Sequence, residues 1–193
     1  MLDLTLIFLR DQINSYLMGT IQSEKVVIGH LVNANGQNNI GEIGLTLINI
    51  EEEPSLKNKY PYHRISDEEI HKIHPPVHLN IYVLVSAFFG DNEESYKEAL
   101  KNLSRVIRFF QAKPVFNHQN SPELSADVER IFVELYTLNL EQQNNLWASL
   151  GAKYLPSVIY KVRYLEIMRS NIVAGGPPIE EVIVNTKEFE EKL

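Results

Sequence analysis

Cysteine is absent from the 193-residue sequence. That excludes disulfides, thiolate metal sites and cysteine nucleophiles, and it fits synthesis in a reducing cytosol. Long apolar runs are missing too. Nothing approaches the roughly 18 apolar residues of a membrane span, so no direct membrane insertion is expected. The apolar opening, Met1 to Leu17, is interrupted by Asp3, Arg10 and Asp11 and is followed by no small-residue cleavage site, so it reads as an amphipathic helix. Basic clusters are lacking: Lys and Arg are scattered through a chain of formal net charge -7 and pI near 5.4, whose surface repels phosphate and disfavours nucleic acid. No Gly-x-Ser-x-Gly elbow, Gly-Lys-Ser/Thr loop or dinucleotide glycine spacing occurs, so serine catalysis and nucleotide binding have no motif behind them.

What is present is the composition of a folded chain. Hydrophobic residues make up 44% and charged residues 22%, which suits one core of ordinary size. Leu2, Leu6, Leu9, Ile13 and Leu17 recur at spacings of three and four, predicting a helix buried along that stripe. Val26-Val27-Ile28 predicts a strand, and Ile43 to Ile50, apolar on both faces, predicts another that Pro54 stops. Residues 55–76 hold Pro61, Pro75, Pro76 and many charges, and read as a long surface excursion. The cleanest alternation follows, with Val77, Leu79, Ile81, Val83 and Val85 against His78, Asn80, Tyr82, Leu84 and Ser86, which predicts the central strand.

Asp91 and Glu94 have capping-box spacing ahead of a helical stripe Tyr96, Leu100, Leu103, Ile107 and Phe110. Ile131, Val133 and Leu135 mark a further strand. Asn139 and Gln142 open a short helix that closes at Gly151. Ser157 to Met168 forms the last long strand, half exposed on its basic side, which makes Lys161 and Arg163 candidate interface residues. The expected fold class is α/β in the α+β sense: a mixed β-sheet with helices packed against it, in a domain of residues 1–170. A linker signal, Gly175-Gly176-Pro177-Pro178, lies in the tail 171–193. The patch Val182-Ile183-Val184 is apolar enough for the tail to dock on its own domain or to add a strand to a neighbour's sheet, so Val182 and Val184 are also candidate interface residues.

Two clusters carry possible chemistry. Glu51, Glu52 and Glu53 form the densest charge, but along an extended chain Glu51 and Glu53 point one way and Glu52 the other, so an acidic rim that fixes an interface is favoured over catalysis. His71, His74 and His78, with His63 upstream, resemble a metal constellation; Pro75 and Pro76 bar a shared helical face, and no fourth ligand is evident.

Three segments stand in order: Leu47-Ile-Asn-Ile-Glu-Glu-Glu-Pro-Ser-Leu-Lys57-Asn58, His74-Pro-Pro-Val-His-Leu-Asn-Ile-Tyr-Val-Leu-Val85, and Leu146-Trp147 through Leu155-Pro-Ser-Val-Ile-Tyr160. Together they make the chain, over roughly residues 1 to 170, resemble the N-terminal domain of cap proteins, the tail terminators of contractile phage-tail-like injection systems. The resemblance implies a non-enzymatic structural subunit without a cofactor. It implies a homo-hexameric ring that sits on the last sheath and inner-tube layer and ends polymerisation. Implied partners are like subunits, the sheath protein, the inner tube protein and, in some particles, a second cap paralogue. The implied location is the bacterial cytoplasm and then a particle released outside the cell. Glu51, Glu52, Glu53, Leu56, Lys57 and Asn58 match the family's acidic strand exit, and Pro75, Pro76 and Asn80 match its strand entry. Some relatives carry a further C-terminal domain, whose functions are not carried over. The rival readings are a metal-dependent enzyme using Glu51–Glu53 with His71–His78, and an adaptor outside the particle.

Overall fold

The computed structural model describes residues 2–21, 26–32, 43–53, 62–64, 70–73, 78–166 and 172–176. The elements are α1 (Leu2–Ile21), β1 (Val26–Ile28), β2 (Ile43–Glu52), β3 (Tyr62–Arg64), β4 (Ile70–Ile73), β5 (Leu79–Ala87), α2 (Glu93–Ala112), β6 (Val115–Asn117), β7 (Val128–Tyr136), α3 (Leu140–Leu150), β8 (Ser157–Glu166) and β9 (Ile172–Gly176). Residues 1–54 with 77–167 form one compact unit, and residues 55–76 with 168–193 form a second.

The first unit is built on a six-stranded sheet in the order β1-β2-β5-β8-β7-β6. It is mixed, because β1 runs parallel to β2 while the other neighbours are antiparallel. This is the α+β sheet that the alternation predicts. Residues 80 to 87 of β5 are all buried, so this strand has cover on both faces. One face carries Ile81, Val83 and Val85 into the main core with Leu45, Ile131, Val133, Tyr160 and Val162. Against it lies α1, whose Leu6, Leu9, Ile13 and Leu17 are buried along the expected stripe, although the helix continues through Gly19 to Ile21.

The second helix differs from its sequence reading in two ways. Its cap is Asn92, whose side chain accepts from the Ser95 amide at 2.8 Å, and not Asp91. Its buried face is Ala99, Asn102, Leu103, Val106, Phe109 and Phe110, whereas Tyr96 and Leu100 of the expected stripe are exposed. The rotation has a packing cause. Phe109 and Phe110 both enter an aromatic cluster with Phe116 and, through Phe110, Tyr160, while Phe8 meets the fully buried Phe116 edge-on at 5.4 Å. The third helix follows its sequence closely, with a reciprocal capping box at Asn139 and Gln142 and a left-handed Gly151 (φ 62°) at its end.

The second unit corrects the reading of residues 55–76 as a surface excursion. Its described residues form a three-stranded antiparallel sheet, β3-β4-β9. In the pairing of β3 with β4, Tyr62 stands opposite Lys72, His63 opposite His71 and Arg64 opposite Ile70. Gly175 and Gly176, read from sequence as part of a linker, lie in β9 opposite His71 and Ile70. Strands this short rest on backbone pairing rather than on a side-chain alternation, so their periodicity is too brief to be legible.

One buried amide ties α1 to the sheet edge. Asn14, 6% exposed, accepts from the Val26 amide at 3.0 Å and donates to the Val26 carbonyl at 3.3 Å, so the outward backbone groups of Val26 at the start of β1 are closed by a side chain. Replacing Asn14 with Leu strands both Val26 groups in an apolar setting, at a cost of about 1–3 kcal/mol. The expected outcome in a thermal melt is a midpoint lower by roughly 5 °C with unchanged far-UV circular dichroism; an unshifted midpoint would mean that the clamp contributes nothing.

Candidate assembly surface

Among the described residues the other face of the sheet is only partly covered. Trp147, Leu146 and Leu150 of α3 pack over Leu84, Ile159 and Tyr82, with Leu31 and Leu155, to form a second small core. Beyond it the register lays out two polar rows across the strands. One runs Glu51, Asn80, Arg163, Phe132; the next runs Asn49, Tyr82, Lys161, Glu134.

A β-bulge decides which acidic residues join these rows. On β2, Leu47 pairs with Val83 but the next paired residue is Asn49, opposite Tyr82, so Ile48 is the extra residue. A bulge inverts the alternation beyond it. Glu51 therefore falls on the face of Asn80 and Tyr82, and Glu52 opposite Leu79 on the other. Unbulged pairing would have placed Ile48, Ile50 and Glu52 on the polar face.

The rows are pinned by specific bonds. The Tyr82 hydroxyl donates to Glu51 Oε2 at 2.8 Å, and Asn49 Nδ2 donates to Glu51 Oε1 at 3.0 Å. Glu53, 7% exposed, accepts from Asn80 Nδ2 at 2.7 Å and lies 3.8 Å from Lys161 Nζ, and its amide donates to the His78 carbonyl at 2.8 Å. Arg163 pairs with Glu134 Oε1 at 3.0 Å and stacks on Phe132, 4.9 Å from the ring centroid; Arg130 lies 5.9 Å from the same ring. Burial, followed by the hydrogen bond to Glu51, pushes the Tyr82 hydroxyl up to about 12. Burial alone pushes Tyr160 to about 12.

Of the residues singled out from sequence, Glu51, Glu53, Lys161 and Arg163 thus share one surface, while Glu52 is exposed on the opposite face. Leu56, Lys57, Asn58, Val182 and Val184 lie outside the described residues. Sequence reasoning passed over Tyr82, Phe132 and Glu134; their signal is the i, i+2 alternation that places them beside residues already chosen. The histidines are split: His63 and His71 are opposite one another in β3 and β4 of the second unit, His78 is buried just ahead of β5 in the first, and His74 lies outside the described residues. Among the described residues no three His, Asp or Glu side chains come together as metal ligands.

Two outcomes are expected. Lys161→Met removes the cation 3.8 Å from the buried Glu53 carboxylate and costs about 1–3 kcal/mol in denaturant melts, whereas Arg163→Met, at a half-exposed pair, costs about 1 kcal/mol or less. Tyr82 has its folded pKa above the unfolded value near 10, so its contribution is complete below pH 10 and is lost as pH rises through about 12. Stability measured from pH 9 to 12 should fall less steeply in Tyr82→Phe than in the parent chain; equal slopes would remove Tyr82 from the account.

Known proteins share this architecture. The Pvc16 N-terminal domain family matches residues 7–181. Among solved structures, a cryo-EM structure of the sheath/tube terminator of PVC, an extracellular contractile injection system, in its extended state is similar, with a TM-score of 0.53 at 14% identity over 96% of this chain and 64% of that one. The cryo-EM structure of the anti-feeding prophage cap, a tube-terminating cap, is similar with a TM-score of 0.51 at 16% identity over 91% of this chain and 59% of the other. The chain spans less than two thirds of the length of either protein, and the likeness is one of fold. No curated protein sequence matches. The expected α+β, terminator-like fold is the one observed, and the chain belongs to the Pvc16 N-terminal domain family.

Proposed function

We propose that this chain is a non-catalytic cap subunit of a contractile injection system. In this reading, like subunits form a hexameric ring on the last layer of sheath and inner tube and end its growth. The observation that carries the proposal is the match to the Pvc16 N-terminal domain over residues 7–181, joined to a fold shared with a sheath/tube terminator and a tube-terminating cap. Sheath protein, inner tube protein and, where present, a second cap paralogue are the partners. Synthesis takes place in the bacterial cytoplasm, and the assembled particle acts outside the cell.

Termination requires a subunit that binds a layer without presenting the same layer again. The surfaces described above suit that task in physical terms. At the β1 edge the Asn14 amide occupies the N–H and C=O of Val26, which makes that end of the edge a poor template for another strand. The polar rows, by contrast, hold Glu51, Lys161, Arg163 and Glu134 in fixed partly exposed positions, and paired charges of this kind set register and exclude wrong partners more than they add affinity. We assign residues 1–170 to the cap domain and residues 171–193 to a docking tail, with Glu51, Glu52, Glu53, Leu56, Lys57, Asn58, Lys161 and Arg163 as contact residues.

Deleting the gene should give sheaths and tubes of uncontrolled length, or few intact particles, under negative-stain microscopy. Six copies of the 22.2 kDa chain, about 133 kDa per end, should appear in the mass balance of purified particles. Particles of normal length and yield without this chain would sink the proposal.

A further inference from the structure

The two ends of the six-stranded sheet are treated differently. At one end the Asn14 amide closes the outward N–H and C=O of Val26 in β1. At the other end β6 covers only Arg130, Ile131 and Phe132 of β7. The Val133 amide donates to the Pro114 carbonyl at 2.8 Å, and proline has no N–H to return to the Val133 carbonyl. Because antiparallel partners alternate along a strand, the N–H and C=O of Leu135 point the same way as those of Val133, off the sheet. Among the described residues nothing pairs with them.

This open edge is apolar. Leu135 is 60% exposed and Leu140, at the first turn of α3, is 85% exposed, with Tyr136 at 40% between them in sequence. Leu135 and Tyr136 also line a cavity of about 180 Å³ whose other walls include Leu138, Leu146 and Trp147. The Trp147 side chain is buried, yet its indole Nε1 has no hydrogen-bond partner among the described residues. An unpaired strand edge, large exposed apolar side chains and an unsatisfied buried donor together describe a seat for an extended peptide, which pairs by backbone and inserts alternate side chains.

We propose that this seat takes the Val182–Val184 segment of a second copy of the chain, so that each subunit adds a strand to the β7 edge of the next. The inference rests on the ring reading above. A ring is closed by heterologous contacts, in which one surface of a subunit meets a different surface of its neighbour, and a strand donor with a strand acceptor on the same polypeptide is such a pair. The donor is three consecutive β-prone apolar residues in an otherwise polar, acidic tail, about as long as the edge on offer. In sequence, Pro177-Pro178 stands between it and β9, which ends at Gly176.

The native chain has no cysteine, so the contact can be trapped cleanly. Leu135→Cys is combined in turn with Val182→Cys, Ile183→Cys and Val184→Cys, and particles purified with each double variant are oxidised and run on non-reducing gels. Leu135 is exposed enough for the substitution to leave the fold intact, which a melt of each variant checks. The expected result is a reducible ladder of dimers and higher multimers for at least one pair, absent from the single-cysteine variants. A disulfide confined to one chain, a bond to a sheath or tube chain instead, or no bond at any of the three positions would overturn the inference. Particle length scored on the same samples separates the two proposals: normally capped particles without a ladder leave the cap reading standing and remove only this contact.

Discussion

The arrangement of the first unit follows from the need to cover β5 on both faces. From Asn80 to Ala87 every residue is buried, and a strand so enclosed must sit inside a sheet with cover above and below. Two twenty-residue helices and an aromatic cluster supply one cover. The other is divided: α3 closes the half around Leu84 and Ile159, and the remaining half is closed by polar side chains that satisfy one another. Asn80 and Lys161 meet the buried carboxylate there and offset part of its desolvation. Cover and proposed interface are therefore the same set of residues.

The bulge at Ile48 is the smallest feature with the largest consequence for that surface. One extra residue turns Glu51 toward Tyr82 and Glu52 away from it. The three consecutive glutamates consequently have three different environments: Glu51 is exposed but hydrogen-bonded, Glu52 is exposed on the opposite face, and Glu53 is buried beside a cation. Glu51 and Glu53 share a face but are engaged by different donors, Tyr82 and Asn80, and Glu52 points away from both. A subunit that fixes the register of its neighbours needs charges held rigidly at chosen positions, which is what cross-strand pairing provides.

Much of the fold is legible in the chain because the physics is local. The stripe of α1, the alternation of β5 and β8, the capping box at Asn139 and the left-handed Gly151 each depend on a few neighbouring residues, and each appears where it is expected. The departures are of another kind. The buried face of α2 is illegible because Tyr96 and Leu100 are as apolar as Val106 and Phe109, and only the position of Phe116 decides which of them is covered. Strands β3, β4 and β9 are too short to carry a period, and β9 finds its partner about a hundred residues earlier in the chain.

By itself, the sequence determined composition-level exclusions, the main helices and strands, the α+β class and the ordered segments that carry the family resemblance. All of these rest on interactions within one or two turns or on the intrinsic preference of a residue for burial. The tertiary structure alone decided that Glu51 and Glu53 share a face with Lys161 and Arg163, that Asn14 closes the sheet edge at Val26, and that among the described residues nothing pairs with the Leu135 edge. Those outcomes turn on strand order, on one bulged residue and on a proline that cannot donate, and such long-range pairings leave no periodic trace along the chain.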